Sequence, residues 1–220
     1  MVDDYEGFTR IQHEAACVFA ARSRIEQAGT FHSPHAETVG LAAAPSLAAF
    51  AKRINRDLLD GFVIELSHPC HGHSVEAVAT AVRGVLTGLL GGKKAADNKD
   101  LTDAAEQHWW FRACGTRWFV LAFAPCYGPA SPRYGFGSDS TYVLLQPVAA
   151  FDRHATPRGE VISVQAKERI RREYAATGRP YDAELAAQDV EALKFVWPLV
   201  LGHPPIRWWE SLDQPKRMSR

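Results

Sequence analysis

Apolar positions along this chain recur at two spacings, and the switch between them predicts the elements. Ile11, Ala15, Val18, Phe19 and Ile25 fall at helical spacing and predict a helix over residues 11–28, stopped by Gly29. Residues 30–45, rich in Ala, His and Pro, read as irregular. Leu47, Phe50, Ile54 and Leu58 predict a second helix over 46–59 with Ser46 as its N-cap. After Gly61, Phe62–Ser67 reads as a strand, and Pro69 and Gly72 make His68–His73 a loop. Ser74 caps a third helix, whose stripe Val75, Val78, Val82, Val85, Leu86 and Leu89 is strongly one-sided. Gly91-Gly92 ends it, and Lys93–Asp103 is charged and reads as exposed.

The pattern then changes to strands. Gln107–Cys114 and Arg117–Pro125 flank a tight turn at Gly115-Thr116. Trp118–Ala124 is an almost unbroken apolar run, which predicts a central strand covered on both faces. Cys126–Ser138 is turn-rich, and Thr141–Leu145 is a further strand. Thr156-Pro157 opens a helix to about residue 176, Asp182 opens another to about Trp197, and Pro204-Pro205 and Trp208-Trp209 mark the tail. Helices at both ends of a hairpin-rich middle predict an α+β fold with a central antiparallel sheet flanked by helices. One domain over residues 1–220 is expected, with no βαβ alternation, dinucleotide fingerprint or P-loop.

Composition narrows the function classes. Lys plus Arg and Asp plus Glu both number 25, so no net charge argues for nucleic acid or an anionic membrane as partner. No apolar stretch approaches the roughly 20 residues that span a bilayer. The acidic start, Asp3-Asp4-Tyr5-Glu6, does not read as a secretory signal. Cys17, Cys70, Cys114 and Cys126 lack CxxC spacing and read as reduced thiols, so a cytoplasmic setting is expected. The basic tail of Lys216, Arg217 and Arg220 reads as a solvated terminus.

Three groups of residues could carry chemistry. His68-Pro-Cys70-His71-Gly-His73 lies between a strand end and a helix start. There the positive helix terminus would keep His73 neutral and able to donate a lone pair to a metal. His108 alternates along its predicted strand with Trp110, Arg112 and Cys114, so an imidazole, an aromatic wall and a cation could face a flat cofactor with carboxylates. Arg133, in Ser131-Pro132-Arg133-Tyr134-Gly135, suits a carboxylate. Each has a plainer role: loop histidines, a satisfied core-edge histidine, a loop-bracing arginine. Cys17 and Cys126 could supply thiolates or serve as small core hydrophobes. No GxSxG elbow or spaced carboxylate pair supports a hydrolase.

Trp109-x-Phe111-x-x-x-Gly115-x-x-Trp118-Phe119-Val120, Ala124-Pro125, Arg133-Tyr134 and Tyr142-Val143-Leu144-Leu145-Gln146-Pro147-x-x-x-Phe151 together resemble the YqcI/YcgG family, as does Ala16-Cys17-Val18-Phe19-Ala20. The resemblance implies a haem-dependent oxygenase that N-hydroxylates a guanidine or amine, such as that of arginine. It further implies haem b, O2 and an electron donor. Ala124 stands where some members carry His, and Ala16 where proline is usual, so the resemblance hands over no axial ligand. On physical grounds His73 is the first choice as iron ligand, then His71 and His108. Arg133 or Arg112 would hold a propionate, Trp110 would wall the cofactor, and Glu65 or Glu76 would meet a cationic substrate. Two other readings compete: a non-haem metal protein using the His68–His73 loop, and a non-catalytic small-molecule-binding protein.

Overall fold

The computed structural model describes residues 6–17, 19–91, 101–155 and 164–210. In chain order the elements are α1 (Gly7–Glu14), β1 (Ile25–Phe31), α2 (Ala36–Ala51), α3 (Ile54–Asp57), β2 (Gly61–Leu66) and α4 (Val75–Leu89). They continue with β3 (Phe111–Ala113), β4 (Thr116–Phe123), β5 (Thr141–Pro147), α5 (Val148–Ala155), α6 (Val164–Ala176) and α7 (Ala183–Ala186). The fold is α+β. Five strands form one sheet in the order β1-β2-β5-β4-β3, antiparallel except for the parallel pair β1–β2.

That parallel pair makes β1–α2–β2 a crossover unit that the sequence pattern did not suggest. Ile25 closes no helical stripe, because the first helix ends at Glu14 and Ile25 pairs with Gly61 instead. Gly29 is not a helix stop. It has φ +117° and lies where the register shifts between Gln27 and Thr30, a bulge that a residue with a Cβ would resist. Edge strand β1 is half exposed, so it lacks the apolar run that would have announced it.

Helix α2 starts ten residues before the expected Ser46 and passes through Pro45. Val39, Ala43, Leu47 and Phe50 form one buried stripe across the proline, which sits on the exposed side. Burial of that stripe outweighs the lost backbone donor. Ser74 caps α4 as expected, its Oγ accepting from Ala77 N at 3.2 Å, and Gly91 follows the helix at φ +71°. The crossing of α2 and α4 is close. A Cβ at Gly40 would stand 2.2 Å from the Val85 carbonyl oxygen, and one at Gly88 2.1 Å from that of Glu37.

The hairpin turns one residue earlier than expected. Ala113 pairs with Thr116, so Cys114 and Gly115 are the turn, both at positive φ as a type I′ turn needs. Strand β3 is shorter than 107–114, since residues 106–109 form a turn closed by Trp109 N–H donating to Glu106 O at 3.3 Å. The expected 182–197 helix is instead the single turn α7 and a 3-10 turn at Glu191–Lys194. Asp182 still caps, accepting from Leu185 N at 2.9 Å and from Gly202 N at 3.3 Å. The tail docks by its aromatics: Trp208 donates to Ala192 O at 2.7 Å and stacks on Phe195 at 5.4 Å. Helix α6 falls within the expected 156–176 helix. Residues 156–163, the charged stretch 92–100 and the basic tail lie outside the described residues.

Alternation along the strands divides the core. Phe62, Ile64 and Leu66, Val120 and Ala122, and Val143 and Leu145 face α2 and α4 in the larger cluster. Val63, Phe123, Tyr142 and Leu144 point to the other face, where α1 contributes Phe8 and Ile11. Among the described residues no helix is long and apolar enough to cross a membrane.

Candidate ligand-binding site

The second face of the sheet carries a cavity of about 150 Å³. Its floor is Leu121 and Phe123 of β4 and Leu144 of β5. Phe8 and Ile11 of α1 and Tyr174 of α6 close it, and Cys17 and Arg133 reach it from loops. Alternation fixes this wall: Leu121 and Phe123 point away from the face that Val120 and Ala122 give to α4.

Arg133 is the unusual group. Its side chain is buried at 4% exposure. Its backbone N–H is fixed by Ser131 Oγ at 3.1 Å, which aims the residue inward. Nη2 donates to Lys194 O at 3.1 Å, while Nε is buried with no hydrogen-bond partner. Among the described residues no carboxylate pairs with it. Its neighbours are aromatic: the guanidinium lies 5.0 Å from the Trp197 ring and 5.8 Å from the Phe123 ring. Burial pulls Arg133 below the ordinary arginine range, and the phenols of Tyr181, Tyr174 and Tyr127 act in the opposite sense. A buried cation with an idle N–H is expensive unless an anion completes it.

The phenols are set by packing. Tyr127 donates to Trp197 O at 2.9 Å, and burial pushes its phenol far up. Tyr181 packs edge-on to Trp197 at 4.7 Å and against Tyr174 at 5.4 Å, and burial raises both phenols as well. Cys17 lies within electrostatic reach of Tyr174 and Tyr181. Burial raises its thiol, opposed by the backbone amides of Phe19 and Ala20. Asp60 is the one carboxylate among the cavity's described lining residues, and it is engaged: Oδ2 accepts from Arg24 N at 2.9 Å and Oδ1 from Arg153 Nη2 at 2.9 Å.

A cleft of about 330 Å³ adjoins across Phe119, Phe151, Ile170 and Tyr181, which line both spaces. Trp110 lines this cleft with Lys167, Arg171 and Lys194. Of the residues expected to hold a cofactor, Arg133 and Trp110 therefore lie in neighbouring spaces. Arg112 lies apart from both, on the exposed side of β3.

The histidines lie elsewhere. His108 is exposed in the 106–109 turn at φ +66°, so it does not alternate with Trp110 and Arg112 on a strand. His73 is exposed beside the start of α4, in an open recess that Cys70, His71 and Glu76 share. His71 is buried, and its Nε2 donates to Ser33 O at 2.6 Å, which leaves the lone pair of the neutral ring on Nδ1. That atom lies 3.7 Å from Cys70 Sγ, and His68 Nδ1 lies 3.0 Å from the same sulfur. Burial lowers the His71 pKa below the usual histidine value. Among the described residues no group of three or more His, Cys, Asp or Glu side chains is arranged to hold a metal ion. Glu65 is committed to Thr30 Oγ1 at 2.8 Å and Ser140 Oγ at 2.7 Å.

Haem can be tested against these spaces. The cavity offers the Cys17 sulfur and the phenols of Tyr174 and Tyr181 as ligating side chains, and volume comparable with a cavity that holds a single benzene. The cleft offers more room and three cations, but its described lining includes no His, Cys or Met. The cavity is too small for a porphyrin, and the described lining of the cleft presents neither histidine nor thiolate to its iron. Tyr127, Tyr174 and Tyr181 were missed by sequence reasoning, because their meeting at Arg133 joins segments some fifty residues apart and leaves no local spacing to read. Comparison with protein-family models, curated proteins and solved structures finds no match to this chain.

Proposed function

We propose that this protein binds a small organic anion in the cavity on the second face of its sheet, with Arg133 as anchor. The observation that carries this reading is the buried guanidinium that has no carboxylate partner among the described residues and whose Nε has no hydrogen-bond partner there. In a water-poor apolar space its attraction for an anion is far stronger than at a surface. The guanidinium fork suits the planar oxygens of a carboxylate. The test is thermal unfolding of the full chain in the presence of a panel of organic acids. An anion that binds only the folded state raises the midpoint with concentration, by about 2.7 kcal/mol of stability at a hundred times its Kd. Arg133→Met abolishes that rise. A midpoint indifferent to every anion would overturn the reading.

Haem-dependent N-oxygenation is the second reading. One observation favours it: Cys17 and Arg133, from two separate segments that resemble the YqcI/YcgG pattern, line one cavity. It requires a larger space than the cavity has as placed. A Soret band near one haem per chain in protein expressed with haem precursor supports it, and no band after haem addition sinks it.

A further inference from the structure

Resting on the reading of the cavity as an anion site, we infer that its ligand is a monocarboxylate with an apolar body the size of one six-membered ring and no amino group. Three features define that class.

The charge is single. Arg133 is the one cation among the described lining residues, and Nη2 is already spent on Lys194 O. One guanidinium on the wall balances one carboxylate. A phosphate or sulfate would bring more oxygens than that guanidinium can serve and would leave the apolar walls facing nothing.

The body is apolar and small. Phe8, Ile11, Leu121, Phe123 and Leu144 present hydrocarbon to the space. About 150 Å³ matches the cavity size that takes up a benzene molecule. A long fatty acid exceeds it, and acetate leaves most of it empty.

An ammonium meets no free carboxylate among the described lining residues. Asp60 is the one carboxylate on the described wall, and both its oxygens are held, by Arg153 and by the Arg24 amide. A zwitterionic amino acid would bury a second charge without compensation. This sets the ligand apart from the amino-acid substrate that the sequence resemblance implies.

The test is isothermal titration calorimetry of the full chain with benzoate, cyclohexanecarboxylate, benzamide, phenylalanine, acetate, decanoate and inorganic phosphate. Benzoate and cyclohexanecarboxylate bind saturably. Benzamide binds about 10- to 100-fold more weakly, because it lacks the charge-assisted bonds to Arg133. Acetate loses about 4-fold for each missing methylene equivalent. Arg133→Lys weakens benzoate, and Arg133→Met erases the preference for benzoate over benzamide. If decanoate, acetate, phosphate or phenylalanine binds as tightly as benzoate, the ring-sized class is wrong while the anion site stands. If no anion binds, or benzamide equals benzoate on the wild-type chain, the anion site itself falls.

Discussion

Replacing Arg133 by methionine removes a charge but little volume, and the structure allows the consequence for stability to be worked through. The lost hydrogen bond to Lys194 O contributes about 1 kcal/mol. That carbonyl is not orphaned, since Trp197 Nε1 donates to it at 3.0 Å. The contacts with the Trp197 and Phe123 rings contribute about 0.5–2 kcal/mol more. Against these stands the removal of a desolvated guanidinium, a penalty of several kcal/mol where no anion offsets it. Methionine refills the space with a flexible apolar chain. Unliganded Arg133→Met is therefore expected to match the wild type or exceed its stability by up to about 2 kcal/mol. Urea unfolding followed by tryptophan fluorescence measures this, with buried Trp118 and Trp208 as reporters. A loss above about 3 kcal/mol with an unchanged m-value would refute the reasoning. Arg133 would then be a structural brace, and its unpaired Nε would say nothing about a ligand.

Gly88→Ala drives a Cβ to 2.1 Å from the Glu37 carbonyl oxygen, so α2 and α4 must separate; a loss of about 1–3 kcal/mol is expected in the same urea assay. Asp182→Ala removes both the cap on Leu185 N and the tie to Gly202 N, and a loss of about 1–2 kcal/mol is expected, read as a lowered unfolding midpoint. His71 is held below its unfolded pKa by burial, so the unfolded chain takes up a proton more readily. Its contribution is present above pH 6.5, the unperturbed value, and is lost as pH falls through the folded value. Urea midpoints at pH 7.5 and 5.5 are expected to differ more for the wild type than for His71→Gln, and equal differences would exclude His71 as the source.

The legible parts of this fold were those whose apolar pattern is settled by their own neighbours in sequence. The α4 stripe from Val75 to Leu89, its Ser74 cap and Gly91 stop, and strands β2, β4 and β5 needed no distant partner to be read. The unread parts depend on tertiary contacts. Strand β1 exists because Ile25–Phe31 pairs with β2, although its half-exposed pattern also suits a helix. Helix α2 crosses Pro45 because the stripe on its other side is buried. The same division runs through the site. Arg133 stands out by its loop setting between turn residues, whereas two of its three phenols, Tyr174 and Tyr181, come from α6 and the chain after it. The histidine-rich loop drew attention by composition, yet His71 is tied to Ser33 and His73 faces solvent.

The asymmetry of the two sheet faces explains why the site lies where it does. On one face α2 and α4 press together at Gly40 and Gly88 so closely that backbone meets backbone, and the strand side chains beneath them are sealed. Such an interface has no room for a ligand. The other face is covered by short or separate pieces: α1, the residues Ala15, Cys17, Phe19 and Ala20 that follow it, α5 and α6, with Pro132 and Arg133 entering from the turn-rich segment. Irregular cover leaves space that regular helix packing would remove. A cation buried beside that space, with no carboxylate partner among the described residues, is tolerable when something else brings the negative charge. The idle Nε of Arg133 thus connects the looser packing of this face with the anion the protein is proposed to bind.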